Sequence, residues 1–277
     1  MGLRVTTNIP SINAQRTLGG SQREVQNSYA QLASGNRINK AGDDAAGLAI
    51  SETLKGQIRG FRQASRNAND GISLVQTSEG GLNEISNIIV RMRELGVQAS
   101  SDTVGDRERG MIDVEIQELK QEVQRIAQST KFGTMPLLDG TGQKYEFQVG
   151  VNNDSFVDRI GFDAGKQNAT LDALNLGGLN YMQKEGAQDS LAKLDEASIK
   201  VNKTRADLGA LQNRLQSTVT NLGIQDENLS AANMRIRDTD VAASTAELAR
   251  NNVLLNANTA TLAQANQIGA LALKLIG

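Results

Sequence analysis

The sequence predicts a mainly α-helical protein, an elongated bundle or coiled coil of N- and C-terminal helices with a small β-hairpin region in the middle. Apolar residues recur every three, four or seven positions in both halves, the spacing that places them on one helix face. Nine glycines and six of the eight aromatic residues gather in residues 131–186 between these stretches. A composition of 39% hydrophobic and 3% aromatic residues suits narrow helix–helix seams better than a rounded core.

Two apolar stripes predict long helices in the N-terminal half. The first follows a spacing of four and three over residues 54–92, with a change of phase near Gly80-Gly81. The second covers residues 112–126 without interruption. We therefore expect helices at about 45–100 and 104–129.

Two sequence signals mark where these helices begin. Thr103 with Asp106 resembles a capping box in which Asp replaces the usual Glu. Of the pair Asp43-Asp44, one is expected to cap a helix beginning near Ala45 and the other to complement its dipole. Acid–base chemistry or cation binding by this pair is the less favoured alternative.

A strict heptad dominates the C-terminal half and predicts one continuous helix over residues 189–236. A lone helix cannot bury such a stripe, so the helix needs a partner along its length. The apolar residues of this rod coiled-coil seam are Leu194, Val201, Leu208, Leu215, Leu222 and Leu229.

The middle segment has the alternation of a β-hairpin. Apolar residues alternate with polar ones from Tyr145 to Val149, and Ile160 and Phe162 repeat the pattern after a turn-like cluster at 152–154. We expect this hairpin to cap one end of the helices.

Heptads at both chain ends predict an inner packing surface. Neither end has an intramolecular core large enough to hold it, so both are expected to fold only on a partner; frayed tails without function are the alternative. The residues of this surface are Leu18, Val25, Leu32, Val241, Leu248, Leu255 and Leu262.

These patterns predict two domains. Residues 1–44 with 237–277 form a terminal coiled-coil core domain that is disordered in the monomer and folds on assembly. Residues 45–236 form a rod-like helical domain with the hairpin region at about 131–186. The charged cluster Arg235, Arg237, Asp238 and Asp240 interrupts the heptad, so we expect ion pairs there to set the angle between the domains rather than to perform catalysis.

Composition argues against an enzyme and against resident cofactors. The chain has no histidine and no cysteine, which excludes Ser-His-Asp and Cys-His arrangements and any metal site built on His or Cys. Carboxylate or lysine chemistry would need a concave pocket, which a narrow helical rod is not expected to provide. A net charge of −2 gives no footprint for nucleic acid. Neither a membrane span nor a secretion signal is expected.

Several longer motifs resemble those of bacterial flagellins. The stretch from Leu32 to Ile50, LASGNRINKAGDDAAGLAI, is similar to the N-terminal signature of that family. The resemblance covers roughly residues 1–150 and 187–277. The other matching segments are 11–18, 91–95, 132–140 and 231–241.

This resemblance implies a structural subunit that polymerises into the flagellar filament for motility. About 36 residues separate Gly150 from Ala187, so the chain looks like a short form without the family's variable outer domains. The family is exported unfolded through the flagellum itself, which implies a secreted protein without a cleaved signal peptide. The implied partners are other copies of the chain, the export apparatus, an export chaperone, and cap and junction proteins.

The resemblance also implies contact with a host Toll-like receptor. The matching positions are Arg91, Leu95 and Glu115, although Val90 and Gly96 depart from the common pattern.

Two other structural functions remain as alternatives. A hook–filament junction protein has similar ends, although its middle is usually longer. A coiled-coil adaptor of non-flagellar type would have stably folded ends and would form no polymer.

Overall fold

The computed structural model describes residues 7–274, with side-chain surroundings for residues 7–267. Its architecture confirms the predicted fold class, with long helices on either side of a short β region. The helices are α1 (Ile9–Ser34), α2 (Ala45–Ala99), α3 (Asp106–Ser129), α4 (Lys184–Arg237) and α5 (Val241–Lys274). The strands are β1 (Lys131–Phe132), β2 (Met135–Pro136), β3 (Lys144–Gln148) and β4 (Arg159–Asp163), and a 3-10 turn follows at Ala164–Lys166.

The chain divides into two compact units. The terminal unit contains the chain as far as Gly56 and from Asn228 onward, and the rod unit is Gln57–Glu227. The predicted boundaries between the domains lie at residues 44/45 and 236/237 instead. The predicted domains describe the assembled state, so these boundaries stay a prediction. The first six and last three residues of the predicted terminal domain lie outside the described residues. No helix in the described part of the chain is long and apolar enough to cross a membrane.

One continuous core runs through the rod unit between α2, α3 and α4. Helix α4 runs antiparallel to α2, as shown by ion pairs joining Arg62 to Asp226 at 3.1 Å and Arg93 to Asp195 at 2.7 Å. Both pairs are largely exposed, so they mark the register while the apolar seam supplies the stability. Helices α2 and α3 are also antiparallel, because Arg109 donates to the Ala99 carbonyl at 2.9 Å while Arg91 pairs with Glu115 at 2.9 Å.

The middle segment packs on glycines of α2. At four positions a Cβ atom would lie only 2.5–3.1 Å from an apolar side chain of that segment, so a larger residue would require that side chain to shift. The hairpin of β3 and β4 therefore lies along the side of α2, and its expected position over an end of the helices is wrong. The pairs are Gly60 with Val151, Gly71 with Phe147, Gly81 with Leu138, and Gly96 with Tyr181.

The start of α2 has the predicted cap, whereas the start of α3 does not. Asp44 caps α2, because its Oδ1 accepts a hydrogen bond from the Gly47 N–H at 2.9 Å. Asp43 instead accepts the Asn39 and Lys40 N–H groups, which lowers the pKa of its carboxyl group. The capping box at Thr103 is wrong, since α3 begins at Asp106 with Gly105 as its N-cap.

Candidate assembly surfaces

The two ends of the chain pack against each other as an antiparallel helix pair, α1 with α5. Ser11 Oγ lies 2.8 Å from Asn266 Oδ1, and the Asn258 amide donates to Ser21 Oγ at 2.8 Å. Residue numbers rise along α1 while they fall along α5, which fixes the antiparallel direction. Asn8 is the N-cap of α1, where its side chain accepts the Ser11 N–H, and Gly35 is the C-cap, in the left-handed conformation.

The predicted inner-packing residues are only partly covered in this pair. Val25 is buried, and Val241, at the first turn of α5, is 60% exposed. The remaining five are half-buried: Leu18, Leu32, Leu248, Leu255 and Leu262. A role for these residues in packing between subunits stays a prediction.

The sequence interpretation missed the residues that lie deepest between α1 and α5. They are small or polar, and all but Ser11 stand three or four positions from a heptad residue, which is the signal that could have found them. Ser11 lies seven positions before Leu18, on the heptad itself. The buried members are Ser11, Ala14 and Ser28 on α1, and Ser244, Asn251 and Ala265 on α5.

A second cluster joins the end of α1 to the end of α4 within the terminal unit. The Arg37 N–H donates to the Arg237 carbonyl at 2.6 Å, and the Thr239 N–H donates to the Gly35 carbonyl at 2.9 Å. The Arg237 guanidinium also binds the Glu52 carboxylate, and that hydrogen bond lowers the pKa of Glu52. Within the described residues, the charged cluster forms this ion pair alone.

The other members of the charged cluster have separate roles. Asp240 caps α5 by accepting the Ala242 and Ala243 N–H groups at 2.9 and 3.2 Å. Asp238 forms a backbone bridge with Asn36. Asp238 and Asp240 therefore act through the backbone and at a helix start, and neither carboxylate pairs with Arg237 among the described residues.

The rod seam is closed within a single chain. Leu194, Leu208 and Leu215 are at most 1% exposed, and Val201 and Leu222 are also buried. Leu229, beyond the limit of the rod unit, is half-buried. The seam therefore offers little apolar surface to another molecule.

The predicted receptor contacts separate into an exposed pair and a core residue. Arg91 Nη2 lies 2.9 Å from Glu115 Oε1, and both side chains are about half exposed. This hydrogen bond raises the pKa of the Arg91 guanidinium. Leu95 is only 3% exposed, so its side chain packs in the core of the isolated chain. Receptor contact by these three residues stays a prediction.

Two family models match most of the chain. The model of the bacterial flagellin N-terminal helical region matches residues 5–143, and that of the bacterial flagellin C-terminal helical region matches residues 191–276. The chain belongs to the bacterial flagellin family. Among curated members of this family, a flagellin of Halalkalibacterium halodurans is 43% identical over 272 residues, which are 98% of this chain and 99% of the relative.

Other similar proteins are also named as flagellar proteins. The flagellar filament 33 kDa core protein of Treponema phagedenis is 41% identical over 283 residues, covering 98% of this chain and 99% of that protein. The crystal structure of Bacillus cereus flagellin is similar with a TM-score of 0.51 and 34% identity, covering 61% of this chain and 94% of that one. A putative flagellar hook-associated protein of Vibrio parahaemolyticus, at 14% identity and a TM-score of 0.59, shares the fold alone; the match covers 70% of this chain and 99% of that one.

The described part of this flagellin-family chain has a concave feature that was not expected from the sequence. A groove of about 490 Å³ lies beside the hairpin, lined by apolar side chains such as Phe61, Val149 and Leu222 and by Arg214 and Asp158. The Asp158 carboxylate accepts the Asp154 N–H at 3.0 Å and so holds the hairpin loop.

Proposed function

We propose that this chain is a structural subunit that polymerises through its terminal helices into the bacterial flagellar filament. The observation that carries the proposal is the apolar surface that α1 and α5 leave open in a single chain. Ile12 is 55% exposed and Tyr29 56% exposed on α1, while Val253 is 68% exposed on α5. Exposed apolar residues gathered on one helix pair are typical of a surface that binds another molecule.

The charge pattern of α5 supports a second copy as that molecule. Residues 241–267 carry two charges, Glu247 and Arg250, which form an ion pair with each other at 3.3 Å. Solvated helices usually bear many charges on the outer face, whereas interfaces between copies are depleted of them. The remaining outer positions of this helix are mostly alanine, threonine, asparagine and glutamine.

The half-buried leucines of α1 and α5 also support assembly with a second copy. Each would lose its remaining exposed surface on assembly. Full burial of such a side chain from an exposed state contributes about 1.5–3 kcal/mol. The terminal domain, residues 1–44 with 237–277, is then the part that folds on assembly, and residues 45–236 form the rod. Function resides in these surfaces, and no catalytic role is assigned to any residue.

Export and capping would involve further partners. The chain would leave the cell unfolded through the flagellar export apparatus, without a cleaved signal peptide, with an export chaperone before secretion and cap and junction proteins after it. A chain without cysteine has no disulfide to obstruct threading. The exposed pair of Arg91 and Glu115 is the part of the predicted receptor contact that a host Toll-like receptor could touch.

Electron microscopy of the purified chain after seeding or salting out tests this function. Long filaments of uniform width are the expected result. Discrete small oligomers would contradict the proposal and favour a coiled-coil adaptor. Short assemblies that form only on the end of an existing filament would favour a junction protein.

A further inference from the structure

Two short linkers meet in the terminal unit. Residues 35–44 join α1 to α2, and residues 238–240 join α4 to α5. Asn36 and Asp238 form an antiparallel backbone bridge between these linkers, which we call the linker bridge. It ties the stretch that follows α1 to the stretch that precedes α5.

The residues around the linker bridge complete the hydrogen bonding of two helix ends. The Thr239 N–H donates at 2.9 Å to the carbonyl of Gly35, the C-cap of α1. The Arg37 guanidinium donates at 2.8 Å to the Ile236 carbonyl in the last turn of α4. The last carbonyl groups of a helix have no partner within the helix. Each linker therefore satisfies the helix end that belongs to the other linker.

The first linker is anchored independently of the α1–α5 pair. Ile38 is only 2% exposed, and a Cβ on Gly47 of α2 would lie 2.9 Å from Ile38 Cδ1, so Ile38 packs on the start of α2. The Asp43 carboxylate accepts the Asn39 and Lys40 N–H groups and closes the turn that follows. The site of the linker bridge is thus prepared by contacts that do not involve α5.

Pairing two distant chain segments has a cost that falls mainly on the first contact. Chain entropy is lost when the segments meet, and each later residue adds contacts at a smaller entropic cost. The linker bridge supplies such a contact just after the end of α1 and just before the start of α5. From this fixed point the helices pair in one antiparallel register, which ends where Asn8 Nδ2 donates to the Ala265 carbonyl at 2.8 Å.

We propose that the linker bridge is the point from which α1 and α5 pair during assembly, and that Asn36 and Asp238 are positioning residues for polymerisation. The bridge sets the register of the two helices, and a second copy of the chain covers the completed pair. This inference rests on the proposed function, and it needs no pairing of α1 with α5 before assembly.

A reversible disulfide across the linker bridge tests this role. The chain has no cysteine, so Asn36→Cys/Asp238→Cys introduces a single possible disulfide. The bonds beside the bridge, such as that from the Arg37 N–H to the Arg237 carbonyl at 2.6 Å, identify Asn36 and Asp238 as a non-hydrogen-bonded pair. The Cα atoms of such a pair lie about 4.5 Å apart, within the range that a disulfide spans.

The matched control is Lys144→Cys/Asp163→Cys, which joins strand partners of β3 and β4 in the rod unit. This pair is also non-hydrogen-bonded, since the Ala164 N–H donates to the Gln143 carbonyl beside it. Each full-length variant is compared in its oxidised and reduced forms, so that the effect of the disulfide is separated from the loss of the original side chains.

The lowest concentration that yields filaments by electron microscopy measures polymerisation. Oxidation of Asn36→Cys/Asp238→Cys should lower this concentration about tenfold, because the disulfide removes the entropic cost of the first contact. Oxidation of the control should leave the concentration unchanged.

Three results would overturn the inference: equal polymerisation concentrations for the oxidised and reduced forms, filaments from the reduced form alone, or failure of the two cysteines to form a disulfide under oxidising conditions. A parent chain that forms no filaments would instead contradict the proposed function. Amide hydrogen exchange of the variant as a monomer would then decide the inference. Oxidation should raise the protection of residues 27–34 and 241–248, the turns of α1 and α5 nearest the bridge, and unchanged protection there would overturn it.

Discussion

At the scale of single residues, neighbouring glycines of α2 have opposite roles. A Cβ on Gly81 would lie 2.7 Å from Thr130 Oγ1 and 2.8 Å from Leu138 Cδ1. A Cβ on Gly80 would meet nothing within 4 Å. Gly81 is therefore required by packing, whereas Gly80 only weakens the helix.

This contrast predicts opposite effects of the same substitution. Gly80→Ala should raise the free energy of unfolding of the rod unit by about 0.5–1 kcal/mol, the helix-propensity difference between the two residues. Gly81→Ala should lower it by about 1–3 kcal/mol, since the added methyl group overpacks the site. Urea unfolding of the two variants checks this, and a gain in both would contradict the described packing.

Tyr181 predicts a late step in an alkaline titration. Burial, together with the nearby Asp113 carboxylate, raises its pKa from 10.0 to about 12, and its hydroxyl has no hydrogen-bond partner among the described residues. Since the neutral form is favoured on folding, its contribution to stability is present below pH 10.0 and is lost as pH rises towards 12. Tyrosinate absorbance should show one ionisation near pH 12, and Tyr181→Phe should remove it.

The junction of the terminal unit predicts a sensitivity to acid. The hydrogen bond from Arg237 lowers the pKa of Glu52 from its ordinary value of 4.5. A lowered carboxyl pKa gives stability that is present above the ordinary value and is lost as pH falls through the folded one. Amide protection around residues 45–56, taken relative to the intrinsic exchange rate at each pH, should fall on acidification below about pH 4.5. The fall should be smaller in Glu52→Gln, and an unchanged acid response in that variant would contradict the role of the pair.

At the scale of elements, α4 has a closed face and an open face. Leu215 is fully buried in the rod seam, whereas Ile224 on the same helix is 55% exposed. Leu215→Ala should cost about 2–5 kcal/mol of unfolding free energy. Ile224→Ala, as the matched control, should stay within about 0.5 kcal/mol. Similar losses for both in denaturant unfolding would contradict the placement of the seam.

The helices could be predicted because their cores follow a strong period. The heptad from Leu194 onward predicts α4, although the helix begins at Lys184, five residues before the predicted 189, where no apolar stripe marks the start. Helix α5 was predicted from its leucines, but its deepest positions are Ser244 and Asn251, which a search for apolar residues passes over.

The hairpin shows what the sequence could not reveal. Its strands follow from alternation, and β3 and β4 pair with Tyr145 opposite Phe162. Its position follows from close contacts with single glycines, such as that of Phe147 with Gly71. These glycines do not recur at a regular spacing, so no sequence pattern marks them. Local patterns predict elements, whereas the contacts between them depend on side-chain shape.

At the scale of the whole molecule, the two units differ in how completely they bury their apolar residues. The rod unit buries its seam within one chain, while the terminal unit leaves Val253 and Leu254 68% and 47% exposed. We expect deletion of residues 241–277 to leave a soluble, folded monomer that no longer polymerises, because the rod core does not depend on α5. Normal filaments from this deletion would contradict the role of the tail.

Amide hydrogen exchange of the full-length chain before and after polymerisation tests assembly through the terminal helices most directly. Residues 9–34 and 241–267 should exchange rapidly in the monomer and become protected in the filament, while α2, α3 and α4 of the rod unit should be protected in both. Strong protection of both terminal helices in the monomer, unchanged on assembly, would contradict assembly through these helices.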